Sequence, residues 1–145
     1  MSLSYSPTKI LDAARALVGT AYSSLDCSNF VHQVYDKAGL KYTYCATKSF
    51  PAGTGKSSMF LELLDNTEIL AGDVVLFPGH MGIWDPEGCR VIETSRECKR
   101  FEDQAPVLSS RSGKNLGVEY GKVEFFTKKG YSVYRWKGAF EAVAV

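Results

Sequence analysis

Apolar residues follow a helical spacing in the first forty positions and run in short, strand-like blocks after residue 70. Ser6 suits an N-cap and Pro7 the first helical position. Ile10, Leu11, Ala14, Leu17 and Val18 then form one stripe, and Gly19 closes the helix. A second helix follows the turn at 20–25, capped by Asp26 or Ser24. Phe30, Val31, Val34, Tyr35 and Ala38 make its buried face, and Gly39 ends it. Cys27 therefore falls in the first turn of that helix. Residues 41–56 are polar and glycine-containing, with room for a short extended piece at Tyr42–Cys45. Ser57 or Ser58 then opens a third, short helix carrying Phe60, Leu61, Leu63 and Leu64.

The period changes in the second half. Asp73–Phe77, Met81–Trp84 and Arg90–Thr94 read as β-strands. Asp85-Pro86-Glu87-Gly88 is a turn, with Pro at its second position and Gly at its fourth. Val118–Thr127 and Tyr131–Trp136 make two more strands, joined near Lys129-Gly130. Val107–Asn115 reads as a polar loop, long enough to cover part of a site. Helices first and antiparallel strands second predict an α+β fold, with N-terminal helices packed on a C-terminal antiparallel β-sheet. No internal repeat is visible, and 145 residues suit a single domain spanning 1–145.

Composition adds mainly exclusions. The chain is 45% hydrophobic and 23% charged, which fits a globular domain and excludes a disordered one. A chain of this length buries roughly two thirds of its unfolded surface, so folding requires no metal or disulfide staple. Seventeen Lys+Arg against sixteen Asp+Glu leave a net charge of +1. That balance gives no general drive toward nucleic acid or an anionic membrane. No apolar run approaches the roughly 18 residues of a membrane helix. The N-terminus lacks a basic segment followed by an apolar run, so no signal peptide is expected.

The chain has four cysteines, Cys27, Cys45, Cys89 and Cys98, and no C-x-x-C pair. Zinc-ribbon and thioredoxin-like readings are therefore weak. With only His32 and His80 in the chain, any imidazole chemistry must use one of them. Cysteine catalysis needs a thiolate, an imidazole within reach and a group to orient that imidazole. Cys27 alone of the four sits in a first helical turn, where unpaired N–H groups and the helix dipole favour a thiolate. His80 opens a strand. With Asp85–Gly88 as a hairpin turn, Trp84 faces Cys89, Gly82 faces Val91 and His80 faces Glu93. Cys27, His80 and Glu93 thus form a candidate triad. Asn115 competes for the third place, although its surroundings read as a turn.

These residues resemble a known family. Tyr22 followed by Asp26-Cys27-Ser28-Asn29-Phe30-Val31 is similar to the Y…D-C-S-G-F-V signature of NlpC/P60 cysteine peptidases. Leu70-Ala71-Gly72-Asp73-Val74-Val75-Leu76-Phe77 resembles their L-x-P-G-D-L-V-F-F strand, and His80-Met81-Gly82-Ile83-Trp84 their H-V-G-I-Y. Val91-Ile92-Glu93-Thr94 falls where they carry a strand of the M-I-H-A type. The motifs run in consistent order from about residue 10 to residue 136. The resemblance implies a papain-like α+β fold and hydrolysis of an amide bond of peptidoglycan, in the stem peptide or a crosslink. It implies Cys27 as nucleophile and His80 as base, with Tyr22, Asp26 and Ser28 lining the substrate site. It implies no metal and no organic cofactor. Three departures stand out: Glu93 replaces the common histidine and looks more like the related CHAP amidases, Asn29 replaces the signature glycine, and the segment after Tyr22 is shortened to Ser23-Ser24-Leu25.

Other readings compete. Gly53-Thr54-Gly55-Lys56-Ser57 ends like a phosphate-binding loop, but Phe50 stands where that loop needs its first glycine. A non-catalytic binding module on the same fold is a further alternative. A bare catalytic domain without a leader resembles an amidase effector of type VI secretion systems, with a phage lysis or tail enzyme next. On that reading the protein is made in the cytoplasm and acts in the periplasm or wall of a target bacterium after delivery. The expected partners are the stem peptide and a cognate immunity protein that plugs the cleft. Neither nucleic acid nor membrane is expected, and the chain is expected to act as a monomer.

Overall fold

The computed structural model describes residues 5–21, 23–50, 58–64, 67–86, 107–110, 118–120 and 130–144. Helix α1 spans Pro7–Ala16, and the Ser6 hydroxyl accepts the Lys9 N–H at 3.2 Å. Helix α2 spans Cys27–Lys37. Asp26, not Ser24, caps it, its carboxylate accepting the Asn29 N–H at 3.0 Å. The chain leaves α2 through Gly39 at φ +84°, and Leu40 N–H reaches back to the Tyr35 carbonyl at 2.9 Å. Ile10, Leu11 and Ala14 of α1 share a core with Phe30, Val31, Val34 and Tyr35 of α2.

The sheet contains β1 (Phe60–Glu62), β2 (Val74–Phe77), β3 (His80–Trp84), β4 (Val107–Ser110), β5 (Val118–Tyr120) and β6 (Ser132–Trp136). Their order is β1-β6-β2-β3-β4-β5, and every neighbouring pair is antiparallel. A third helix, α3 (Lys137–Ala144), follows β6 directly and was not foreseen in the sequence pattern. Helix α2 packs against β3 and β4. Strand alternation sends Val74, Met81 and Ile83 toward the helices, while Val75, Phe77 and Val107 form a second cluster with Trp84. The α+β prediction therefore holds, with the N-terminal helices packed on an antiparallel sheet and a further helix after its last strand.

Three expectations need correction. The third helix predicted around Phe60 is instead strand β1. Its apolar run is too short for periodicity to separate helix from strand. Pairing decides: Phe60 lies opposite Trp136, and its ring also packs on Tyr35 and Phe50. Ser58, predicted as a helix cap, exchanges hydrogen bonds with the Phe60 backbone instead. The loop predicted from Val107 begins as strand β4. Val107, Ser109 and Ser110 are fully buried there, which polar composition alone argued against.

The third correction concerns the partner of β3. The predicted turn sets Trp84 opposite Cys89, but Trp84 pairs with Val107 and Ile83 with Leu108. Strand β2 takes the other edge, with Val74 opposite Ile83. The ladder that was to bring Glu93 opposite His80 is therefore occupied by β4 at these positions. Glu93 itself lies outside the described residues, as do the rest of the Arg90–Thr94 strand, Gly88 of the turn, and the Gly53–Ser57 loop.

Two ion pairs tie the elements together, one within the sheet and one from helix to sheet. Arg135 of β6 grips Asp73, just before β2, through Nε at 2.9 Å and Nη2 at 2.8 Å. Arg15 of α1 grips Asp85, just after β3, with two contacts of 2.7 Å. Between the layers, Gly72 adopts φ +89°, and a Cβ there would meet Ile10 Cδ1 at 3.3 Å. Its carbonyl accepts the Tyr35 hydroxyl at 2.6 Å. Burial pushes the Tyr35 phenol well above its ordinary pKa, which keeps it a donor. The Gly72-Asp73 dipeptide thus has two structural duties: close approach to α1, and a buried carboxylate for Arg135.

Candidate active site

Cys27 is the first residue of α2 and is 8% exposed. Its Sγ lies 3.3 Å from Thr47 Oγ1, at the start of a short 3₁₀ turn, Thr47–Ser49. Asp26 takes the Asn29 N–H on its side chain and the Phe30 N–H on its carbonyl. The N–H groups of Cys27 and Ser28 precede that first helical bond, at the positive end of the helix. Two backbone donors beside a sulfur are the arrangement that steadies an oxyanion formed by attack of that sulfur on a carbonyl.

Asp26 and Ser28 join a polar network at the same helix mouth. Asp26 Oδ1 accepts from the Asn29 side chain at 2.8 Å and from Ser28 Oγ at 3.3 Å. Ser28 Oγ also meets Tyr44 OH at 2.8 Å. Three donors converge on Oδ1, counting the Asn29 N–H, which leaves Oδ2 outside this network. Asn29, where the resembled signature has glycine, gains a role here by bracing the Asp26 carboxylate.

His80 begins β3 opposite Phe77, and the two rings stack at 6.2 Å. Its Nε2 lies 2.9 Å from Ser109 Oγ. One step beyond the Ile83–Leu108 pair, the ladder sets Ser109 across from Gly82, on the face that His80 shares. Gly82 has no side chain to block this diagonal approach. With Nε2–H donating to Ser109, Nδ1 is the basic nitrogen of the ring. The next residue, Ser110, donates its hydroxyl to the Leu25 carbonyl, two residues before Cys27. Adjacent serines of one buried strand thus hold, on its two opposite faces, the histidine and the entry to the cysteine helix.

A cavity of about 470 Å³ lies between the Thr47–Ser49 turn and the β2–β3 hairpin, and neither Cys27 nor His80 lines it. Thr47, the partner of Cys27, lines it, as do Phe77 and Gly79 beside His80. Phe50 and Tyr131 contribute apolar wall and Lys48 a charge.

The other candidates fall as follows. Tyr22, Glu93, Asn115, Cys89 and Cys98 lie outside the described residues. Cys45 is a half-buried cysteine outside any disulfide. His32 engages the Tyr42 carbonyl through Nε2 at 2.9 Å and packs edge-on against Tyr42 and Tyr44. Sequence reasoning missed Thr47, Tyr44 and Ser109. The first two sit in the polar stretch after α2, and Ser109 opens a Ser-Ser-Arg-Ser run that reads as loop. No local pattern marks any of them; only the register of β4 and the return of the chain over α2 bring them in.

No curated protein matches the chain closely enough to serve as a relative. The family model described as NlpC/P60 matches residues 16–135. That span begins at the last residue of α1, ends one residue short of the end of β6, and contains Cys27, His80 and strands β1 to β5. With most of its length matched, and an α+β architecture in agreement, the chain belongs to the NlpC/P60 family.

Proposed function

We propose that the protein hydrolyses an amide bond of peptidoglycan, in the stem peptide or a crosslink, by a cysteine–histidine mechanism. NlpC/P60 members are typically cysteine peptidases or amidases of this polymer, which supports the reaction class. The observation that carries the reading is the placement of Cys27 in the first turn of α2, at the positive end of the helix.

In the proposed sequence, His80 takes the Cys27 thiol proton as Sγ attacks the amide carbonyl. The N–H groups of Cys27 and Ser28 hold the oxyanion. His80 returns the proton to the departing amine, leaving a thioester on Cys27. Water, deprotonated by the same imidazole, attacks the thioester and releases a carboxylic acid and free thiol. Asp26, through Oδ2, together with Ser28 and Tyr22, receives the amine end of the substrate. Ser109 steadies the imidazolium through Nε2. Glu93, which departs from the family's common histidine and looks more like the third residue of the related CHAP amidases, is kept for the same role.

Mass spectrometry of purified peptidoglycan after digestion tests the reading and identifies the bond. New amine and carboxyl ends within stem peptides are the expected result, and unchanged muropeptides would overturn it. Ser109→Ala is expected to lower kcat about tenfold with little change in KM, since it removes one hydrogen bond to a charged ring. Steady-state kinetics beside Glu93→Gln assigns the orienting role to the variant with the larger fall.

The proposal extends to setting: an antibacterial effector, delivered into a rival cell and held in check by an immunity protein in the producer. The support here is resemblance alone. Expression in a susceptible bacterium, with and without an added periplasmic signal, tests it. Lysis only with the signal is expected, and lysis without it would count against the setting.

A further inference from the structure

We infer that the Thr47 hydroxyl is a further catalytic group of the site: it donates a hydrogen bond to the Cys27 sulfur and so favours its thiolate form. The inference rests on the proposed amide hydrolysis at Cys27 and adds to it a side chain from the segment after α2.

The contact has one chemical reading once the sulfur is charged. Thr47 Oγ1 lies 3.3 Å from Cys27 Sγ. As a thiol, the sulfur can give or take that hydrogen bond. As a thiolate it has no proton, so the hydroxyl must donate. A bond made to the charged form favours that form. Cys27 is buried and Thr47 half-buried, so water competes little for the bond. The thiol proton passes to His80 in the proposed attack, and Thr47 keeps its own. The same bond serves again when the thioester breaks and the thiolate leaves.

Thr47 is also held in place without any help from substrate. Its carbonyl accepts the Phe50 N–H at 3.2 Å, and the Ala46 carbonyl accepts the Ser49 N–H at 2.9 Å. Phe50 is buried, with its ring 4.9 Å from Phe60 and 5.4 Å from Tyr134. Upstream, the Tyr42 carbonyl meets His32 Nε2 at 2.9 Å, and Tyr44 OH meets Ser28 Oγ at 2.8 Å. The segment is thus stitched to α2 at His32, Ser28 and Cys27. The first two stitches end on groups that form no covalent bond in the proposed reaction, and the third ends on the nucleophile. Threonine is branched at Cβ, which limits the directions its hydroxyl can take. A donor fixed in this way needs no reorganisation as charge appears on the sulfur.

The test compares Thr47→Val, which keeps the shape without the hydroxyl, with Thr47→Ser, which keeps the hydroxyl. Alkylation of the full chain by iodoacetamide at pH 7 is followed peptide by peptide by mass spectrometry, with Cys45 as internal reference. A hydrogen bond to a charged acceptor changes the thiolate population by about tenfold or more. Roughly half of that, on a logarithmic scale, is returned as lower nucleophilicity. Thr47→Val is therefore expected to slow alkylation of Cys27 about fivefold and to lower kcat toward stem peptides by a similar factor, with KM unchanged. Thr47→Ser should restore both rates to within about twofold of wild type. A displaced segment would change the Cys45 rate as well. If Thr47→Val slows alkylation of Cys27 alone and Thr47→Ser restores it, but the wild type cuts no stem peptide, the Thr47 contact stands and the hydrolase reading falls. If the wild type cuts and Thr47→Val leaves either rate near wild type, or Cys45 slows in step, or serine restores nothing, the role of Thr47 is overturned and the hydrolase reading stands. If the wild type cuts nothing and Thr47→Val leaves alkylation unchanged, both fall.

Discussion

Replacing Cys27 with alanine is expected to reduce peptidoglycan cleavage by about 10⁴-fold or more, the scale seen when a covalent nucleophile is deleted. The loss should come from kcat. Cys27 also belongs to the core between α2 and the sheet, so a structural explanation has to be separated from a chemical one. Cys27→Ser provides the separation. Serine keeps a polar atom near Thr47 Oγ1 and preserves most of the volume. Its hydroxyl, however, is a far weaker nucleophile with only an imidazole to activate it. Both variants should bind stem peptide and melt close to the wild type, yet neither should release fragments. Activity in Cys27→Ser within tenfold of wild type would sink the thiolate mechanism. Activity in Cys27→Ala would remove Cys27 from the chemistry altogether.

The largest effect on stability is expected at Asp73. Its carboxylate is fully buried and accepts from Arg135 Nε and Nη2 and from the Leu70 N–H. The Arg135 side chain is only 12% exposed. Asp73→Ala strands a guanidinium and a backbone donor, while Arg135→Leu strands a buried carboxylate. Each is expected to cost about 3–5 kcal/mol, and to lower Tm by roughly 10–15 °C. Urea denaturation should show a lower midpoint with an unchanged slope. The double variant should recover part of the loss, because neither charge is then left alone. The Arg15–Asp85 pair should matter less, since a third of the Arg15 side chain is open to solvent and screened. A single variant at Asp73 costing under about 1 kcal/mol would contradict this account. The consequence would reach the site, because Asp73 anchors the start of β2, whose far end carries Phe77 against His80.

Much of this molecule can be read in its amino-acid order because the forces involved are local. Ser6 and Pro7 start α1, and Asp26 starts α2, because capping needs only a side chain within three residues of the N–H it satisfies. Cys27 at a helix mouth follows from the same cap. The strands at Val74–Phe77 and His80–Trp84 follow from apolar runs separated by Pro78-Gly79, where Gly79 adopts φ +75°. The order of these motifs also carried the family, which the match over residues 16–135 bears out.

What the order of residues could not decide depends on contacts distant in the chain. Phe60–Glu62 became a strand because Trp136 and its neighbours offered an edge to pair with. Val107–Ser110 became the neighbour of β3, and the hairpin inferred from Asp85–Gly88 gave way at Trp84, because a strand has two edges and residues some twenty positions further on filled the second. Buried serines look like loop until partners are found for their hydroxyls. Ser109 found His80, and Ser110 found the Leu25 carbonyl. Thr47 reaches the cysteine only because the chain folds back over α2. The sequence by itself determined the helix mouth, the nucleophile candidate and the histidine candidate, since caps, turns and periodicity act over a few residues. Tertiary structure alone decided what touches them, because strand register and side-chain pairing are settled by burial between segments that share no local pattern.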